Sequence, residues 1–481
     1  MPGLARQVAI LSVSRIANYG LMIISPIVLV RFLTVNDFGR YREFLLYASL
    51  VQTAAGFAIG DSLLYFVPLY PASIWRVVRE TTNLTAFVSL LTVSVVIVAQ
   101  LLIPAGLVGP YLVPVVLYVL LFVNLDWWES FWIATHRPYP VFVYTGLRLL
   151  ARMCVVVSVA IVSKSVWAII WSLIVLEGLR FAGSLVAWRS ADRSGLEPPI
   201  ENIRREQLQF CVPFGIASLL TIISRNLGNV VIARVLGAVA LAHFTIGTYA
   251  DPIILVLRNS ISSVLLPELV RLREPGAALR LWHRATVMNC LLLFPCAAIV
   301  TWYAEPLVLK AFGAAYRPAI PVLQWYALVI VLACFDFSLL LRAINRTRSF
   351  VTMGVLAGLV NGLVLAVLLP LMGVVGAAIA LGVANIVQVI CLGFRVSQLY
   401  GCGLRGLLPW TALVKVALCA AGAAIFAFGI TAAWRASILG DAVGAILYSV
   451  LFAALVLAAR VEEARAALQR LKPLLPTLRR R

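Results

Sequence analysis

The chain has 481 residues, of which 63% are hydrophobic and only 12% charged, with mean hydropathy +1.01 and a formal net charge of +20. That composition excludes a soluble globular domain. What remains is a membrane protein crossed many times, with gaps between apolar stretches too short for a large water-soluble domain.

A helix needs about twenty apolar residues to cross the hydrocarbon core. In chain order the apolar runs are 7–33, 44–70, 81–103, 112–135, 141–163, 166–188, 208–236, 241–267, 285–303, 319–341, 350–370, 373–396, 410–433 and 441–459. These are about fourteen transmembrane helices. The runs are apolar on all faces and too long for barrel strands, so the fold class is all-α and polytopic. The first run is too long for a cleaved signal peptide and carries Arg15 and Asn18.

Positive charge is sorted to one side of these spans. With the N-terminus inside, cytoplasmic segments carry about two dozen Lys and Arg against about eight outside. The inner set includes Arg76, Arg79, Arg137, Arg189, Arg193, Arg271, Arg273, Arg346 and the tail 460–481, so both termini are expected in the cytoplasm. The net charge is then a topology signal and an attraction to anionic lipid headgroups. No folded basic face is visible, which leaves nucleic acid out as a partner.

Enzyme and metal signatures are lacking. Lys164, Lys310, Lys415 and Lys472 all lack the preceding glycine of a phosphate-binding loop. Gly401, Gly403 and Gly406 spell G-x-G-x-x-G, but they sit in a turn between two spans, without a βαβ unit. His136, His243 and His283 are scattered, and the eight cysteines are solitary in sequence. A non-enzymatic protein without cofactor is expected.

The chain also echoes itself. VRFLTVNDFGRY at 30–41 aligns with ARVLGAVALAHF at 233–244, and GPY at 109–111 with GAAY at 313–316. Each echo falls at the same place in a six-span half, which fits parallel repeats about an axis along the membrane normal. The halves are expected at 1–198 (spans one to six) and 199–406 (spans seven to twelve), followed by spans thirteen and fourteen with a basic tail at 407–481. The stretch 189–207, with Pro198 and Pro199, is the expected connection between lobes.

The same segments resemble a known family. FGAAYRPAIPVL at 312–323, RAINRTRS at 342–349 and NGLVLAVLLPLMGVVGAAIALG at 361–382 look like the C-terminal half of Wzx-type polysaccharide flippases. SRIANYG at 14–20, VNDFGRYREF at 35–44 and GDSLLYFVPL at 60–69 resemble that family's opening. These flippases belong to the multidrug/oligosaccharidyl-lipid/polysaccharide exporter superfamily, which includes the MATE transporters. The resemblance implies two six-helix lobes in a MATE-like V, with two further C-terminal helices. It implies movement of undecaprenyl-pyrophosphate-linked oligosaccharides across the bacterial inner membrane by alternating access, for envelope or exopolysaccharide synthesis. Membrane lipids, a polysaccharide polymerase and a chain-length regulator are the partners it implies. Many relatives place an acid in span seven, where this chain reads Arg225, Asn226, Leu227, Gly228, Asn229. No ion-coupling role carries over to that position.

Charges inside hydrocarbon need a partner or a wet cavity. Arg15 and Arg225 lie on the leading span of each lobe and are expected to face a central cavity. Arg148 and Arg152, four residues apart in span five, and Arg258 in span eight are further candidates for binding a pyrophosphate. Glu177 and Arg180, three apart in span six, are expected to neutralise each other. Asp61, Asp126, Glu129 and Asp336 are candidates for binding a coupling proton or sodium ion. NLDWWESFW at 124–132 reads as an interfacial aromatic belt. The alternatives are a peptidoglycan-precursor flippase or a cation/drug antiporter of the same superfamily and, in another class, a membrane-embedded sugar polymerase or glycosyltransferase. An organic-cation antiporter would need an acidic cavity, and a polymerase would need paired acids at an outer loop.

Overall fold

The structure, a computed structural model, describes residues 24–461 other than 104–107, 136, 191–197, 199, 201, 252–253, 255–260, 263–264, 267, 273, 345 and 432–437. The regular structure of the described residues is all helical, with no strand among them. Contacts divide the chain into two compact units, Met1–Ala242 and His243–Arg481.

In the first unit, α1 (Val35–Gly56) starts at Thr34, whose hydroxyl accepts the Asp37 amide at 3.1 Å, a standard N-cap. After Gly56 the chain turns through Phe57 and Ala58, both left-handed, into a 3₁₀ turn (Gly60–Ser62) and α2 (Leu63–Leu69). The two pieces of this span are bent by 49°. Next come α3 (Ile74–Leu102), α4 (Leu112–Val123), α5 (Trp128–Ala134), α6 (Pro138–Ser163), α7 (Val166–Ser190) and α8 (Ile203–Val235). Thr81 and Thr85 on α3 return their hydroxyls to carbonyls one turn back, the usual way to satisfy such groups in a membrane helix.

α8, the seventh expected span, packs within the first unit. Gln207 donates to the Thr81 hydroxyl at 2.9 Å, and the Tyr70 hydroxyl donates to Glu206 at 2.9 Å. A Cβ on Gly215 would come within 2.6 Å of the Phe57 ring, so only glycine fits that crossing. At the other end Arg234 lies over the Tyr47 ring, 5.5 Å from its centroid. The division at Ala242 therefore falls one helix after the connection expected at 189–207.

α9 (Gly237–Gly247) leads into the second unit, which continues with α10 (Pro275–Trp302), α11 (Ala304–Phe312), α12 (Ala319–Leu332), α13 (Ser338–Ala343), α14 (Thr347–Tyr400), α15 (Gly403–Leu407), α16 (Trp410–Thr431) and α17 (Ile438–Ala458). α14 is two spans joined at Gly373, whose φ of 56° and ψ of −135° suit glycine alone. Its 54 residues would reach about 80 Å if straight, far more than one bilayer crossing needs. A stack of Trp302, Phe428 and Tyr448, with centroids 4.8 and 5.1 Å apart, packs α16 and α17 onto α10. Lys310 on α11 pairs with Asp441 at the start of α17.

Among the described residues nine helices are long and apolar enough to cross a membrane, or ten counting the bent pair. The difference from fourteen has three sources. Most of run 7–33 and eleven residues of 241–267 lie outside the described residues; run 319–341 breaks into α12 and α13; and runs 350–370 and 373–396 are continuous. The protein is an all-α polytopic membrane protein.

Candidate functional site

The span that contains α4 and α5 is broken at Asn124–Trp127. Asn and Asp are poor helix residues because their side chains compete for the backbone. Asn124 turns extended, Leu125 turns left-handed with φ 56°, and the last carbonyls of α4 lose their partners inside the membrane. Arg180 of α7 fills that gap. It donates to the carbonyls of Phe122 at 2.9 Å, Leu125 at 3.2 Å and Asn124 at 3.3 Å, and also to Leu121. A guanidinium suits the negative end of a helix dipole as well as the free carbonyls. Asn124 adds a bond to the Leu120 carbonyl at 2.9 Å and one to the Ser89 hydroxyl at 3.1 Å.

Four charges meet at this break. Arg148 donates to Asp126 at 2.6 Å and to Glu177 at 3.3 Å, while Arg180 donates to Glu177 at 2.7 Å and lies 3.7 Å from Asp126. Glu177 and Arg180 side chains are 5% and 8% exposed, deep enough that each needs the other. Arg148 also covers the Phe122 ring at 4.3 Å. The pair expected from the Glu177–Arg180 spacing forms, and it is one edge of a larger network. Arg152, one turn further along α6, lies in the field of Tyr118, Tyr41, Glu177 and Arg148. Among the described residues no carboxylate reaches it as an ion pair, so the cluster of three arginines and two acids keeps one positive charge.

The other sequence candidates are placed as follows. Arg15 and Arg258 lie outside the described residues. Arg225 is exposed midway along α8. Asp61 is exposed in the 3₁₀ turn before α2, beside Ser130, and Glu129 is exposed in the first turn of α5. Asp336 lies in the second unit, at a break between α12 and α13; it accepts the Ser338 hydroxyl at 2.5 Å and the Ser262 hydroxyl at 3.5 Å. The structure thus brings Arg148, Arg152 and Asp126 together. Among the described residues no group of three or more His, Cys, Asp or Glu side chains could hold a metal ion.

The aromatic-belt expectation for 124–132 is corrected. Trp127 and Trp128 are 3% and 8% exposed, stack on each other at 4.5 Å, and pack with Phe66, Val77 and Phe131 in the core. The break at Leu125 turns these rings inward onto α2 and α3, where burial outweighs an interfacial position.

Sequence reasoning also missed Glu43. It sits in the third turn of α1 and accepts the hydroxyls of Tyr111 at 3.1 Å and Tyr47 at 3.4 Å. Starting the second span at Phe44 left it outside the membrane inventory. The i,i+4 spacing of Glu43 and Tyr47 on a helix was the available signal.

A family described as polysaccharide biosynthesis protein matches residues 28–321. The chain belongs to the polysaccharide biosynthesis protein family. Among solved structures it is similar to the lipid II flippase MurJ in an inward closed conformation, at 12% identity and a TM-score of 0.63, covering 92% of this chain and 97% of that one. It is also similar to a multidrug resistance MATE family transporter of the MOP superfamily in an inward-facing conformation. There the identity is 15% and the TM-score 0.54, over 82% of this chain and 99% of that one. At these identities the likeness is one of fold, and it is the fold the sequence resemblance implied for this polysaccharide family. No curated protein matches the chain.

Proposed function

We propose that this protein moves an oligosaccharide repeat unit, linked to undecaprenyl pyrophosphate, across the bacterial inner membrane by alternating access, for envelope or exopolysaccharide synthesis. The observation that carries this reading is the family match over 28–321 on a MurJ-like fold. The charge inventory supports it. A pyrophosphate is anionic, and the cluster around Arg148 and Arg180 retains one positive charge, on Arg152. Arg152 is the residue through which the first unit would hold the pyrophosphate, and Arg15, Arg225 and Arg258 are further cations proposed to bind it. Both termini are cytoplasmic in this reading, and a polymerase and a chain-length regulator consume the product.

Deleting the gene should leave lipid-linked repeat units on the cytoplasmic face and remove surface polymer. Units exposed on the outer face of the deletion strain overturn the reading. In the same strain Arg152→Ala should not restore polymer at normal protein level, and Arg152→Lys should restore part of it. The lost contact is worth about 1.5–3 kcal/mol, roughly ten- to hundredfold in affinity. A second reading, a peptidoglycan-precursor flippase, is favoured by the MurJ likeness. Rescue of a strain depleted of its own lipid II flippase would select it.

A further inference from the structure

Two exposed aromatic rings lie face to face in the first unit. Tyr65 on α2 stacks on Phe210 of α8, with centroids 5.1 Å apart and planes 14° from parallel. Tyr65 remains 53% exposed and Phe210 39%. Phe66 braces the pair, edge-on to Tyr65 at 5.1 Å and to Phe210 at 5.7 Å.

The two helices run in opposite directions here: Tyr70 bonds Glu206, Tyr65 stacks on Phe210, and the Ser62 side chain meets that of Cys211. The ring pair therefore lies between two carboxylates. Glu206 is one helical turn before Phe210, and Asp61 is one turn before Tyr65. Asp61 is exposed at the bend between α1 and α2, inside the span. A carboxylate is costly against hydrocarbon, so the face it shares with Tyr65 looks onto water. Apolar surface left bare on a wet face marks a binding site.

We propose that this face is a platform for an uncharged sugar ring of the transported saccharide, which packs its C–H face on Tyr65 and donates its hydroxyls to Asp61 and Glu206. The inference rests on the flippase reading and adds where the saccharide, as opposed to the pyrophosphate, is held. Sugar C–H groups are weakly positive and match the negative face of an aromatic ring. Ionised carboxylates only accept, so they pair with hydroxyls that donate. Tyr70 holds Glu206 through Oε2, and Oε1 can accept a second hydroxyl. Rings beside acids would also attract an organic cation, but exposed Arg204 and Arg205 adjoin Glu206 and oppose one. The platform shares no side chain with the cluster around Arg148 and Arg180.

The test uses the full chain in phosphatidylcholine nanodiscs and the producing strain's repeat-unit oligosaccharide, released from its carrier. Saturation-transfer NMR should show the sugar ring protons taking up saturation from the protein. Tyr65→Leu keeps apolar bulk without an aromatic face and should weaken binding about two- to tenfold, whereas Tyr65→Trp should preserve it. Asp61→Asn should weaken it about tenfold, through loss of a charge-assisted hydrogen bond. If Tyr65→Leu fails to accumulate, Phe210→Leu replaces it. Unchanged affinity in the leucine variant or in Asp61→Asn overturns the proposal. Absence of a saccharide signal, with tetraphenylphosphonium bound in its place, also overturns it, because the rings would then hold a cation. In cells, polymer lost on deletion but fully restored by Tyr65→Leu overturns the platform alone. Polymer retained on deletion overturns the flippase reading itself.

Discussion

The two units break a span in the same way and treat the break differently. In the first, α4 and α5 are separated at Asn124–Trp127; in the second, α12 and α13 are separated at Ala333–Phe337. Each span follows a 3₁₀ turn that contains or follows a left-handed glycine, Gly109 or Gly313, and ends in tyrosine, Tyr111 or Tyr316. Each break holds an acid, Asp126 or Asp336. Each short helix closes with an amide donating five residues back at 2.8 Å, Arg137 to Trp132 and Arg346 to Leu341. Yet Asp126 is held by two arginines, and Asp336 by two serine hydroxyls, with the Trp282 indole donating to its carbonyl at 3.0 Å. The same backbone device occurs in both units, with different described partners for its acid. Among the described residues the acid of the first break is held by arginines and that of the second by serine hydroxyls.

Removing Arg180 should have the largest effect. Arg180→Ala frees the carbonyls at the end of α4 and, among the described residues, leaves buried Glu177 with Arg148 alone at 3.3 Å. A loss of about 3–5 kcal/mol is expected, measured as a large fall in thermal midpoint in detergent. A near-normal midpoint would mean that the break needs no ionic lock. Asp126→Asn comes next, at about 1.5–3 kcal/mol. Adding Arg148→Gln should restore part of this, because it removes the cation that Asp126 neutralises. A double-mutant cycle should give about 0.5–3 kcal/mol of coupling, and additivity would dissolve the network. Asp336→Asn should cost least, about 0.5–1.5 kcal/mol, since the amide oxygen still accepts a hydroxyl. A cost equal to that of Asp126→Asn would reveal a cation at the second break and erase the contrast.

The spans were legible because length and hydropathy alone decide them. Runs 166–188 and 441–459 match α7 and α17 to within a few residues. The GPY and GAAY echo was legible for a local reason: a positive-φ glycine and a buried tyrosine mark the same turn twice. Glu177 with Arg180 was legible from helical spacing. Asp126 with Arg148 was not, because the partners are 22 residues apart, one in the break and one on α6, and the break at Leu125 brings them together. The breaks were hidden in turn by their aromatic flanks, which keep the hydropathy high across a backbone that is no longer helical. Glu43 was lost at a span boundary that hydropathy places several residues too late.

Gly373 bears on how the chain enters the bilayer. Only this residue leaves helical geometry between the two arms of α14, and Leu371 and Met372 beside it are 75% and 48% exposed. The tip therefore carries apolar side chains where other hairpins carry polar loops. Such a tip has little reason to emerge into water, so the two arms are expected to partition from the translocation machinery into lipid together as one preformed hairpin.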